Sequence, residues 1–149
     1  MPTYVIHTHD GTLTAERREV LARRVTIAHS RATGAPPSFA QVIYQRLALG
    51  DHFIGGELAD APSVFVHGHI RDGRTREAKA ELASGIRDGV VEVAGVPEDA
   101  VWVYLCEVPA AQMVEFGRVL PEHGREGEWM ASLDEPLRER LLALGRRLE

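Results

Sequence analysis

Hydrophobic residues switch between two spacings along this chain, and the switches place the elements. Residues 1–9 are rich in β-branched and aromatic side chains, which predicts a strand, and Gly11 breaks it. Thr14 can cap a helix. From residue 15 to about 33, Leu21, Val25, Ala28 and Ala32 recur at helical spacing, with Val20 and Ile27 widening the stripe. Gly34 stops this helix and the Pro36-Pro37 pair bars its continuation. Residues 39–47 read as a strand, 51–56 as a turn-rich stretch suited to a small hairpin, and 63–70 as a strand again. Thr75 can cap a second helix carried by Ala78, Leu82, Ile86, Val90 and Val93, which Gly95 and Pro97 end. Residues 101–108 form a fourth strand. Beyond it, 109–129 is punctuated by glycine and proline with little periodicity. Ser132-Leu133-Asp134-Glu135 reads as a capping box that opens a last helix to about Leu148, with Leu137, Leu141 and Leu144 on one face.

The first half, moved by 61 positions, lands on the second without a gap. Val5 meets Val66, Thr14 meets Thr75, Leu21 meets Leu82, Gly34 meets Gly95, Pro36 meets Pro97 and Val42 meets Val103. These are caps, core positions and breakers, where structure constrains residue type. The pattern predicts a single α/β (α+β) domain over 1–149, built from a duplicated β-α-β unit. One unit spans about 2–50 and the other about 63–108, with an unrepeated C-terminal helical tail over 109–149. Two crossovers of the usual hand make a four-stranded sheet with both helices on one face. The strands carry apolar residues on both sides, so the uncovered face calls for burial, most simply by copies of the same chain.

Composition narrows the class. With 149 residues, 44% of them hydrophobic, the chain is long enough to bury a core and too apolar for a disordered tail. Its net charge of −5 argues against nucleic acid, whose phosphates require a basic face. No apolar run approaches the ~20 residues that span a bilayer, and the amino-terminal residues lack the pattern of a secretory leader. One cysteine, Cys106, allows no intrachain disulfide, and a cytoplasmic setting is expected. Of 17 basic residues only Lys79 is lysine, a bias that codon usage accounts for in the main.

Candidate chemistry begins at Pro2. With Met1 removed, its nitrogen would be a secondary α-amine, able to act as acid, base or nucleophile near neutral pH. Arg71-Asp72-Gly73-Arg74 sets two arginines across a glycine turn, between a strand and the start of a helix. Two guanidinium groups there can converge on one carboxylate. The corresponding turn of the first repeat, Asp10-Gly11-Thr12-Leu13, has no arginine, so the halves differ in function. Read alone, His29 is a packing residue late in a helix, Tyr104 a strand core residue and Glu115 a solvated loop carboxylate. His7 with His9, and His67 with His69, pair on strand faces, short of the three or four ligands zinc requires. Neither a glycine-rich phosphate loop nor a nucleophile elbow is present, so nucleotide binding and hydrolase triads lack support.

Taken together, Pro2 after Met1, the duplicated unit and the set His29, Arg71, Arg74, Tyr104 and Glu115 resemble the tautomerase superfamily. Within it they resemble the cis-3-chloroacrylic acid dehalogenase branch. The resemblance covers nearly the whole chain. It includes Phe65-Val66-His67-Gly68, Val101-Trp102-Val103-Tyr104, Glu107-Val108-Pro109-Ala110, Gln112-Met113-Val114-Glu115-Phe116-Gly117-Arg118 and Gly127-Glu128-Trp129. It implies a homotrimer that uses neither metal nor cofactor on a small unsaturated carboxylate. Pro2 would deliver a proton to the substrate's α-carbon. Arg71 and Arg74, assisted by His29, would hold the carboxylate, and Glu115 with Tyr104 would activate the attacking water. Three other readings stay open: a lyase-type or hydratase activity on another three-carbon unsaturated acid, keto–enol tautomerisation of a phenylpyruvate or 2-hydroxydienoate, and a non-catalytic trimeric binding protein if Met1 is retained.

Overall fold

The computed structural model describes residues 2–145. Its main sheet has the order β2-β1-β5-β6, made of β1 (Thr3–His9), β2 (Gln41–Leu47), β5 (Val64–Arg71) and β6 (Val101–Val108). β1 runs parallel to β2 and β5 parallel to β6, while the central pair β1 and β5 is antiparallel. Two 19-residue helices, α1 (Ala15–Thr33) and α2 (Arg76–Ala94), link the parallel pairs and pack on each other. The core lies between them and the sheet, around Tyr4, Ile6, Leu21, Val25, Val66, Leu82 and Ile86.

The two helices are built alike because the same local signals flank them. The N–H of Arg17 donates to Thr14 Oγ1 at 3.2 Å, and that of Ala78 to Thr75 Oγ1 at 3.1 Å. Gly34 and Gly95 close them in the left-handed conformation, at φ 70° and 72°, which a Cβ would oppose. The expected duplicated β-α-β fold with both helices on one face is present, and it extends further than the sequence pattern indicated. The hairpin of β3 (Phe53–Ile54) and β4 (Glu57–Leu58) reappears 61 positions on as β7 (Val114–Glu115) and β8 (Arg118–Val119). Both hairpins turn on two residues of positive φ, Gly55-Gly56 and Phe116-Gly117. Glu115 therefore stands on a strand of the second repeat and not in a loop of an unrepeated tail.

The match also has a gap. Burial alternates along β1 as it does along the last seven residues of β5, which pairs Tyr4 with Val66 and His9 with Arg71. The pairing of Val5 with Val66 is corrected: Val66 is fully buried on the helix side, and Val5 lies on the other face. The physical reason is the turn after β5, which is one residue shorter than the turn after β1. Arg71 is accordingly the last residue of its strand and not the first of the turn.

The C-terminal segment forms a second small core. Phe39, Ala110, Leu120, Trp129, Leu133 and Leu141 pack together, bringing α3 (Glu126–Ala131) and α4 (Glu135–Gly145) onto the 3-10 turn Pro37–Phe39. Ser132 ends α3, its hydroxyl donating to the carbonyl of Trp129 at 2.7 Å. The helix start expected at Ser132 belongs instead to Asp134, whose Oδ1 accepts from the N–H of Leu137 at 2.9 Å. The last residues assigned to that helix, 146–148, lie outside the described residues. No helix among the described residues is long and apolar enough to cross a membrane.

Candidate active site

A cleft opens where the start of β1 meets the end of β5, with about 440 Å³ of empty space including its mouth. Pro2, His29, Arg71 and Arg74 line it together with Phe39, Leu120, Pro121, Glu126 and Trp129. Pro2 is held by the N–H of Gln41, which donates to its carbonyl at 2.9 Å. The C-terminal segment forms one wall, and Trp129 is fixed in it by an indole N–H donating to the carbonyl of Val119 at 2.9 Å.

His29 is buried at the C-terminal end of α1. The Tyr4 hydroxyl lies 2.7 Å from its Nδ1. Burial, then the charge of Arg74 and then that of the amino terminus push its pKa down to about 3. Burial raises the pKa of Tyr4, which keeps the phenol protonated. With both groups neutral, a phenol that donates to Nδ1 leaves the imidazole proton on Nε2 as an uncharged donor.

The two arginines have different partners. Arg74 Nη1 donates to the carbonyl of Thr33 at 2.9 Å, satisfying a free carbonyl at the end of α1. Burial and the neighbouring Arg71 lower the pKa of Arg74, and Glu126 works the other way. Arg71 is 8% exposed; it donates to the carbonyl of Pro121 at 2.8 Å and pairs with the Glu126 carboxylate. Burial alone would raise the pKa of Glu126, but hydrogen bonding from Arg71 and nearby positive charge leave it lowered. Glu126 was not among the residues singled out from sequence. It carries no motif of its own and meets Arg71 across 55 positions of chain.

Glu115 does not line the cleft. Burial raises its pKa, and the positive amino terminus partly opposes that rise. Tyr104 is not brought to the cleft within one chain. It is 54% exposed on the sheet face away from the helices, edge-on to Phe65 with ring centroids 5.1 Å apart. Ile43 and Trp102 are exposed on the same face, which the helices leave uncovered as the strand pattern predicted.

The internal repeat offers a check on this site. The counterparts of Pro2, His29, Arg71 and Glu115 in the other half are Val64, Val90, His9 and Ile54. None of these supplies an arginine or a carboxylate, so among the described residues the counterpart positions do not form a like cleft.

Known proteins resemble the chain along most of its length. A family model described as "Putative oxalocrotonate tautomerase enzyme" matches residues 1–132. A 2-hydroxymuconate tautomerase from Pseudomonas putida is 42% identical over 59 residues, which are 40% of this chain and 92% of that protein. That relative is thus about as long as one repeat. The crystal structure of N1, a member of the cis-3-chloroacrylic acid dehalogenase family, matches with a TM-score of 0.91 and 37% identity. That match covers 95% of this chain and 99% of N1. A fused 4-OT wild type symmetric trimer matches at TM-score 0.73 and 25% identity, covering 79% of this chain and 94% of that one.

Proposed function

The chain belongs to the tautomerase superfamily, in its cis-3-chloroacrylic acid dehalogenase branch, and from that premise we propose that it adds water to a short α,β-unsaturated carboxylate of the cis-3-haloacrylate type. The observation that carries this reading is one cleft lined by Pro2, His29, Arg71 and Arg74. Arg71 and Arg74 bind the substrate carboxylate and draw electron density from the double bond, which leaves the β-carbon electrophilic. His29 contributes its Nε2–H as a neutral donor. Glu115 takes a proton from water as the oxygen attacks the β-carbon, and its raised pKa makes it a stronger base. The Pro2 amine, freed by removal of Met1, gives its proton to the α-carbon. The resulting chlorohydrin loses chloride and a proton to leave malonate semialdehyde. No step calls for a metal or cofactor.

In this reading the active form is a homotrimer. Copies packed on the open sheet face cover Ile43 and Trp102 and let Tyr104 reach the cleft of a neighbouring subunit, where it joins Glu115 in orienting the water. The fused 4-OT trimers on the same fold support that assembly.

A second reading, keto–enol tautomerisation of a 2-hydroxydienoate or phenylpyruvate, is favoured by the likeness to 2-hydroxymuconate tautomerase. It requires Pro2 to be neutral and act as base, whereas hydration requires it protonated. A retained Met1 would favour a binding protein of the same fold, and intact mass decides that point. The deciding experiment incubates the processed protein with cis-3-chloroacrylate and measures chloride and malonate semialdehyde. Turnover well above a Pro2→Ala control is expected; turnover equal to that control rules out the dehalogenase reading.

A further inference from the structure

Arg71 reaches the cleft with both terminal nitrogens already engaged. One end of its guanidinium is anchored to the carbonyl of Pro121 at 2.8 Å. The other end, Nη2, holds the carboxylate of Glu126 and lies 3.5 Å from Nδ1 of His123. Glu126 lines the same cleft as Pro2 and Arg74, so its carboxylate occupies the place where an incoming carboxylate would pair with Arg71. We propose that Glu126 is an internal carboxylate that fills the ligand's position on Arg71 in the empty cleft and is exchanged for the carboxylate of the ligand on binding. This rests on the reading of the cleft as a carboxylate site and adds the residue that sets its affinity.

Three observations support exchange over simple addition. Arg71 is 8% exposed and the Glu126 side chain 29%, so two carboxylates on one guanidinium would repel each other with little solvent screening. The anchor to Pro121 stays on Nη1, so exchange at Nη2 leaves Arg71 in place. His123 gives the departing Glu126 somewhere to go: its Nδ1 is 3.8 Å from Glu126 Oε1, and the ring is mostly exposed. A carboxylate that competes from within makes the cleft bind short monocarboxylates more weakly than two arginines alone would. If Glu126 instead only positions Arg71, its removal has the opposite sign and weakens ligand binding.

Propanoate, a saturated acid that cannot react, separates the two. Its dissociation constant is measured by titration calorimetry on the wild-type protein, Glu126→Gln and Glu126→Asp. Glu126→Gln is expected to bind propanoate about tenfold more tightly, the order of one charge-assisted hydrogen bond. Glu126→Asp, with the charge kept and its reach shortened, is expected to fall between. Unchanged or weaker binding by Glu126→Gln overturns the proposal, as does an absence of propanoate binding in all three proteins. Melting curves check folding, and if Glu126→Gln does not fold, the Glu126→Asp comparison decides alone. Chloride release from cis-3-chloroacrylate by the wild-type protein tests the functional reading separately, so either can fail without the other.

Discussion

His29 couples the cleft to acid stability, and the size of that coupling follows from its surroundings. The imidazole is 4% exposed and shares a 2.7 Å hydrogen bond with the Tyr4 hydroxyl, and its pKa is pushed down to about 3 from an ordinary value of 6.5. An unfolded chain takes up this proton near pH 6.5, whereas the folded chain resists it until about pH 3. Between those values the unfolded state holds one proton more, so stability falls as the pH drops through that window and is fully present above it. Each pH unit is worth about 1.4 kcal/mol, so acidification from pH 6.5 to 5 removes about 2 kcal/mol through this residue alone. Urea unfolding of the wild type and of His29→Gln, at one protein concentration and at pH 7 and 5, isolates it, because the other titrating groups are shared. The wild type should lose about 2 kcal/mol more than the variant over that interval. Equal pH dependence in the two proteins, or an NMR titration of the His29 ring near pH 6.5, would refute the reasoning.

Further outcomes follow from the same geometry. Replacing Glu115 by Gln should abolish hydration while a weak tautomerase activity survives, read as chloride release against enol consumption; undiminished hydration would remove Glu115 from the role of base. Gly68→Ala should destabilise the fold by about 1–3 kcal/mol in a melting or urea experiment. Its new Cβ would sit 2.7 Å and 2.9 Å from ring atoms of Tyr4 and 3.0 Å from Leu105. Tyr4 is fully buried and bonded to His29, so it has no room to yield.

Local chemistry made much of this protein legible before any coordinates. Thr14 and Thr75 cap, Gly34 and Gly95 stop, and the apolar stripes of α1 and α2 choose a face, because these signals act within a few residues. The Asp51–Gly56 stretch was readable as a hairpin for the same reason, and β3–β4 forms at 53–58. Its twin at 114–119 was equally readable through the offset of 61, with Gly55-Gly56 over Phe116-Gly117, but the lack of periodicity after residue 108 hid it. Ser132 shows how two local signals compete: the same hydroxyl that could open a helix closes the preceding one.

By itself, then, the sequence determined the number and order of the main elements, the duplication and a set of candidate residues marked by type and spacing. The tertiary structure decided which of them meet. Pro2, His29, Arg71 and Arg74 share a cleft because antiparallel β1 and β5 bring the start of the first repeat's opening strand beside the end of the second repeat's opening strand. Tyr104 is turned away because strand residues alternate faces. Arg71 finds Glu126 because a second core around Trp129 folds the C-terminal segment over the cleft. Such contacts depend on the packing of segments far apart in the chain, which short-range spacing does not encode.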